Sequence, residues 1–187
     1  KIMTTIGSNN IFNIAVEGSF DDCQKIVKDM FNENDFREKI NMSGVNSINW
    51  ARIICQIVYY FYSVFKINKK NISFSVPTGN FGDAYAGYMA KKMGLPIDKL
   101  IIATNENNIL QRVINTGEYK PGIVKPSLSP SMDIQISSNF ERLLFDILGE
   151  DDKKVALLMN NLKTKGFFKL DQEAVKIIKK DFCAEKI

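Results

Sequence analysis

The sequence predicts an α/β fold, a doubly wound, mostly parallel sheet with flanking helices, on three observations. Apolar runs alternate with amphipathic ones: "NISFSVP" reads as a strand, Asp83 to Met93 as a helix, "KLIIAT" as a strand and Asn107 to Asn115 as a short helix. Strand, helix and strand with short links between them make a parallel sheet whose crossovers are closed by helices. Gly94 and Gly117 follow the two helices, where a residue able to turn left-handed ends a helix. Thr78-Gly79-Asn80-Phe81-Gly82 joins the first of these strands to its helix, and ligands of open parallel sheets sit at the carboxyl ends of strands, where this loop and Thr104 to Glu106 both fall.

The remaining elements follow in chain order. "IFNIAVEG", residues 11–18, reads as a short buried strand, and "SFDDCQKIVKDMF" as the helix after it. Ser19 or Asp21 is the expected N-cap, and Ile26, Val27, Met30 and Phe31 recur at helical spacing. "VNSINWARIICQIVYYFYSVFK", residues 45–66, is the most apolar stretch, and at about 1.5 Å per residue it has the length of a membrane span. Arg52 and Gln56 argue against a span, so the reading is a helix buried on nearly all sides. Ser47 would cap it, Cys55 would lie in the core, and Tyr59, Tyr60 and Tyr62 would pack. Pro121, Gly122, Pro126 and Pro130 break the chain after Tyr119, which reads first as a surface linker and otherwise as a loop crossing a site. "FERLLFDILG", "DDKKVALLMNNLKTKG" and "DQEAVKIIKKDF" are helical runs with acidic starts and glycines between them.

Composition narrows the chemistry. The 187 residues are 45% apolar, enough for a sizeable core. Lys and Arg number 25 against 21 Asp and Glu, a net charge of +4 with the charges scattered, so no basic face calls for nucleic acid. Cys23, Cys55 and Cys183 are far apart and form no C-x-x-C pair, a usage that fits a reducing, cytoplasmic setting better than export. No apolar signal segment opens the chain, and no membrane role is expected. There is no histidine, which removes the commonest metal ligand and neutral-pH acid/base; no metal site is expected.

The loop from Thr78 to Gly82 carries the chemistry that remains. Glycine permits positive φ or close approach of a ligand, and the helix start behind it offers unpaired N–H groups to an anion such as phosphate. Neither G-x-x-x-x-G-K-[ST] nor G-x-G-x-x-G is present, so the phosphate is not that of a P-loop nucleotide or a dinucleotide. A tight turn that needs glycine for shape alone has the same spacing.

"SVPTGNFGDAYAGYMAKKMGLPIDKLIIATNENNIL", "VEGSFDDCQ", "NSINWARIICQIVYYFY" and "SPSMDIQISSNFERLLFDILG" together resemble the threonine synthase family, pyridoxal-phosphate enzymes of the tryptophan-synthase-β-like fold, from about Met3 to Gly149. The resemblance implies that Thr78, Gly79, Asn80, Phe81 and Gly82 hold the phosphate of pyridoxal phosphate, with the helix from Asp83 pointing its positive end there. It implies conversion of the small molecule O-phospho-L-homoserine and water to L-threonine and phosphate. The lysine that binds the cofactor covalently would precede Met3-Thr4-Thr5 and hence Lys1, and the segment beside the pyridine nitrogen would follow Ile187. The chain is then an interior fragment with no catalytic residue of its own and no turnover alone; Lys91, Lys92 and Lys99 are the stand-in candidates, the first two reading as surface charges. Asn46, Ser47, Asn49 and Arg52 are candidates for the substrate's phosphate, against the plainer reading that Arg52 pairs with an acid and Ser47 caps; Asp133 and Arg142 are weaker candidates. Residues 1–42 would end one α/β subdomain and 43–187 would form part of the larger, cofactor-binding one. A related pyridoxal-phosphate phospho-lyase or dehydratase is the alternative reaction, with "NSINWAR" and "SSNFER" favouring threonine synthase over the dehydratases. A non-catalytic phosphate- or cofactor-binding module is the alternative class.

Overall fold

The computed structural model describes residues 5, 7–17, 20–46 and 49–187. Contacts divide the chain into two compact units, Lys1–Gly44 and Val45–Ile187.

In the first unit, helix α1 (Phe20–Asn32) is followed by the short helix α2 (Asn34–Lys39). The expected strand over residues 11–18 is absent: its described part is irregular, and Phe12 and Ile14 are 82% and 86% exposed. Strand backbone needs a neighbour to pair its N–H and C=O groups, and no described segment of this unit is a strand. The expected caps Ser19 and Asp21 cannot be placed: Ser19 and the Asp21 side chain lie outside what is described.

The second unit begins with α3 (Trp50–Ile67), β1 (Ile72–Pro77), α4 (Gly82–Lys92), β2 (Ile97–Thr104), α5 (Ile109–Thr116) and β3 (Glu118–Tyr119). A 3-10 turn at Pro130–Met132 precedes α6 (Phe140–Ile147), α7 (Asp152–Lys165), β4 (Phe168–Lys169), α8 (Gln172–Asp181) and β5 (Phe182–Lys186). β1, β2 and β5 form one parallel sheet in that order, with Val76 opposite Ile102 and Ile102 opposite Ala184. β3 and β4 make a separate antiparallel pair. The flanking helices are bounded as their sequences suggest: Asp151 accepts from the amides of Lys153 and Lys154, Asp171 accepts from that of Ala174, and α5 closes on Gly117 at φ 79°.

Helix α3 corrects the expectation of burial all round. Ile53, Ile57, Tyr60 and Val64 are buried, one stripe at helical spacing that packs on α4. Ile54, Val58, Tyr59, Tyr62 and Phe65 are exposed, and so is Cys55, which is therefore not a core residue. Of the three tyrosines only Tyr60 packs in the core. A helix that packs chiefly on one neighbour buries one face whatever its overall hydropathy. Asn49 caps this helix, accepting from the amide of Ala51 at 2.9 Å; Ser47 lies outside the described residues. Among the described residues no helix is long and apolar enough to cross a membrane, and no group of side chains suits a metal ion.

Candidate functional site: an amide-lined turn between β1 and α4

β1 ends at Pro77 and the chain reverses into α4 within a few residues. Thr78 anchors the turn: its amide donates to the Ala103 carbonyl of β2 at 3.3 Å, and its Oγ1 accepts from the Phe81 amide at 3.1 Å. The same hydroxyl donates to Asp83 Oδ1, which also accepts from the Ala84 amide at 2.8 Å. Burial raises the Asp83 carboxyl above the usual range against the opposing donations from Thr78 and Ala84. Phe81 sits at φ 64°, in the left-handed region that disfavours a side chain. Its ring holds it there, wholly buried at 5.5 Å from the rings of both Phe140 and Phe182.

Among the described residues the amides of Gly79, Asn80 and Gly82 donate to no protein acceptor. Three such N–H groups at a strand-to-helix turn, with the α4 N-terminus behind them, are donors of the kind an anion can use. Gly79 is required by close approach: a Cβ there would lie 3.0 Å from Ile134 Cδ1, 3.1 Å from the Ser131 carbonyl oxygen and 3.2 Å from Met132 Cα. Residues 131–134, just past the segment expected to be a surface linker, therefore run against the turn, and the linker leads directly into them.

That segment is pinned by a polar cluster. Asp133 Oδ1 accepts from Asn105 Nδ2 at 2.8 Å, Asn107 Nδ2 at 3.0 Å and Ser127 Oγ at 2.7 Å, and Oδ2 accepts from the Ser127 amide at 2.8 Å. Asn107 Oδ1 accepts from the Lys125 amide at 2.8 Å, and Gln135 Oε1 from the Gly122 amide at 3.0 Å. Asp133, which also closes the 3-10 turn, is thus the hub of a loop clasp. The Ser127 hydroxyl, then its amide and the Asn105 and Asn107 side chains, hold the Asp133 carboxyl below its ordinary range. A carboxyl lowered on folding contributes stability that is present above its unfolded pKa, about 3.9, and lost as pH falls through the folded value. Acidification below about pH 4 is expected to release the Gly122, Lys125 and Ser127 amides to hydrogen exchange, and Asp133→Asn to remove that acid step; protection unchanged down to the folded-state transition of the whole chain would refute the clasp.

A second contact comes from the start of α6. The Asn139 amide and its Nδ2 both donate to the Asn80 carbonyl, each at 3.1 Å, and Ser138 Oγ donates to Asn80 Oδ1 at 3.2 Å. Asn139 Oδ1 accepts from Arg142 Nε at 3.2 Å, and the Arg142 guanidinium lies 5.4 Å from the centre of the Trp50 ring. Reading the sequence assigned no role to Ser138 or Asn139; the only signal was their place within "SSNFER".

Arg52 Nη1 donates to the Val45 carbonyl at 3.2 Å, with no acidic partner among the described residues, and Arg52 lines a groove of about 300 Å³ with Asn49, Cys55, Gln56 and Tyr59. None of the residues lining that groove belongs to the turn from Thr78 to Gly82, and Asn46 does not line it. The stand-in lysines are engaged elsewhere: Lys91 pairs with Asp181 at 2.8 Å, Lys92 with Asp146 at 2.7 Å, and Lys99 donates to the Lys179 carbonyl at 2.9 Å.

Fold and turn together define an α/β protein of the tryptophan-synthase-β-like class, with a parallel sheet that presents unpartnered amides at the carboxyl end of a strand. Comparison with known proteins makes this specific. Threonine synthase of Pseudomonas aeruginosa is 51% identical over 173 residues, covering 91% of this chain and 37% of that protein, and the Saccharomyces cerevisiae threonine synthase is 49% identical over 199 residues, covering 99% and 39%. The crystal structure of pyridoxal-phosphate-bound threonine synthase from Brucella melitensis superposes with a TM-score of 0.92 at 51% identity, covering 98% of this chain and 40% of that one. No protein-family model matches the chain. Along the segment it spans, the chain belongs to the threonine synthase family, and it spans about two fifths of the length of these relatives.

Proposed function

We propose that this chain is an interior part of a cytoplasmic threonine synthase and that Thr78 to Gly82 hold the phosphate of pyridoxal phosphate, in a protein that converts O-phospho-L-homoserine and water to L-threonine and phosphate. The observation that carries the reading is the set of unpartnered amides at Gly79, Asn80 and Gly82, in a chain whose relative from Brucella melitensis is described as bound to pyridoxal phosphate. The donor set fits the group: a phosphomonoester needs several N–H donors and no lysine, and the Asp83 carboxylate beside the turn is occupied by Thr78 Oγ1 and the Ala84 amide. Bound there, the cofactor would supply an electron sink for the substrate's carbon skeleton. The chain's own contribution is to bind and orient the phosphate, with Thr78 fixing the turn and Phe81 anchoring it in the core.

In this reading residues 1–42 end one α/β subdomain and 43–187 form part of the larger one. Asn46, Ser47, Asn49 and Arg52 take part in holding the substrate's phosphate; the exposed Arg52 and the half-buried Asn49, which both line the groove, support this. The covalently binding lysine is placed before Lys1, a placement supported by the ion pairs that occupy Lys91 and Lys92 and the carbonyl that holds Lys99.

The test is a titration of the chain with pyridoxal phosphate and, separately, with pyridoxal, followed by amide NMR. Saturable shifts at Gly79, Asn80 and Gly82 with the phosphorylated ligand alone are expected. Equal shifts with both ligands, or none with either, would remove the phosphate assignment.

A further inference from the structure

We propose that Asn139 is a positioning residue for the cofactor-phosphate site, orienting the Asn80–Phe81 peptide so that its carbonyl faces away from the anion; this rests on the functional reading above. The peptide between Asn80 and Phe81 is held at both ends. Its N–H donates to Thr78 Oγ1 at 3.1 Å, and its carbonyl accepts twice from Asn139, from the backbone amide and from Nδ2, each at 3.1 Å. Both lone pairs of the carbonyl are used, so its negative end is committed to the start of α6. A turn of that peptide would aim a carbonyl oxygen at the phosphate and break the run of donors on either side of it.

Arg142 makes the arrangement one-way. An asparagine amide can present either its oxygen or its nitrogen to a neighbour, but Arg142 Nε is only a donor and lies 3.2 Å from Asn139 Oδ1. Nδ2 is therefore left for the Asn80 carbonyl. Asn139 is wholly buried, so an unpaired amide there is costly and the flipped orientation is disfavoured. Ser138 adds a hold on the Asn80 side chain at 3.2 Å. The residues that shape the site thus come from a helix start 59 positions downstream of the loop.

The experiment measures dissociation constants for pyridoxal phosphate and for pyridoxal on the wild-type protein, Asn139→Asp and Arg142→Gln. Asn139→Asp keeps the shape and replaces the donor by an oxygen facing the Asn80 carbonyl. About a tenfold weaker affinity for pyridoxal phosphate, with pyridoxal affinity unchanged and a displaced phosphorus resonance for the bound ligand, is expected, since a hydrogen bond of this kind is worth roughly one order of magnitude in binding. Arg142→Gln is expected to act in the same direction with a smaller factor, and it decides the matter if Asn139→Asp fails to fold. Affinities for both ligands that fall together, or that both stay unchanged, would reduce Asn139 to a structural residue and overturn the inference. A wild-type protein that does not prefer pyridoxal phosphate to pyridoxal would instead overturn the functional reading, and this inference with it.

Discussion

Replacing Phe81 with alanine is expected to lower the free energy of unfolding by about 3–5 kcal/mol, the usual cost of emptying a large buried aromatic site. Phe81 is wholly buried, and its ring is 5.5 Å from both Phe140 and Phe182, so it ties the turn to α6 and to β5 at once. Its backbone, at φ 64°, pays about 1–3 kcal/mol for the left-handed conformation. A glycine at the same position would remove that strain and add about 0.5–1 kcal/mol of unfolded-state entropy. Phe81→Gly is therefore expected to be at least as stable as Phe81→Ala, the reverse of their order in an ordinary helix. Urea unfolding of the two variants and the wild type measures both differences. An alanine variant as stable as wild type would mean that the ring does not anchor the turn.

Gly87→Ala is expected to destabilise the chain by about 1–3 kcal/mol, although an alanine inside a helix normally gains about 1 kcal/mol over glycine. The position explains the inversion. A Cβ on Gly87 would stand 2.6 and 2.7 Å from atoms of the Tyr60 ring and 2.8 Å from Leu100 Cδ2. Tyr60 has little room to yield: its hydroxyl donates to the Asp83 carbonyl at 2.8 Å, and its ring meets Phe74 edge-on at 4.9 Å. Burial and then the Asp83 charge push its phenol pKa up, so it remains a neutral donor throughout the ordinary pH range. Thermal unfolding should show the loss as a drop of about 2–4 °C per kcal/mol in a chain of this size. Combined with Tyr60→Leu, the same substitution should cost less than it does alone, since residues in contact do not add. A higher melting temperature for Gly87→Ala would show that α3 and α4 are not in close contact there.

Much of the architecture was legible because it is written locally. The alternation of apolar and amphipathic runs predicted β1, α4, β2 and α5 in order, and Asp151, Asp171 and Gly117 marked helix ends by chemistry that acts within a few residues. The turn from Thr78 to Gly82 was visible as a glycine-bearing junction. Errors arose where a local pattern needed a distant neighbour. Residues 11–18 have strand-like composition and no described strand beside them, and α3 has an interior helix's hydropathy but one helix to pack on. β5 passed unnoticed because "FCAEK" has only Phe182 and Ala184 to bury, and its pairing partner β2 lies some 80 residues earlier in the chain, Leu100 opposite Phe182.

The site divides in the same way. By itself the sequence determined the α/β order, the position of the glycine turn, the absence of histidine chemistry and the family, since each rests on residue identity or on spacing within one element. Only the tertiary structure decided that Ser131 to Ile134 lie against Gly79, that Asp133 gathers Asn105, Asn107 and Ser127, and that Asn139 holds the Asn80 carbonyl. These contacts join loops to one another, and loops have no period from which a partner can be read. They form when the sheet and helices bring the loop ends to the same edge, where buried polar groups must find acceptors and donors or lose the stability that burial provides.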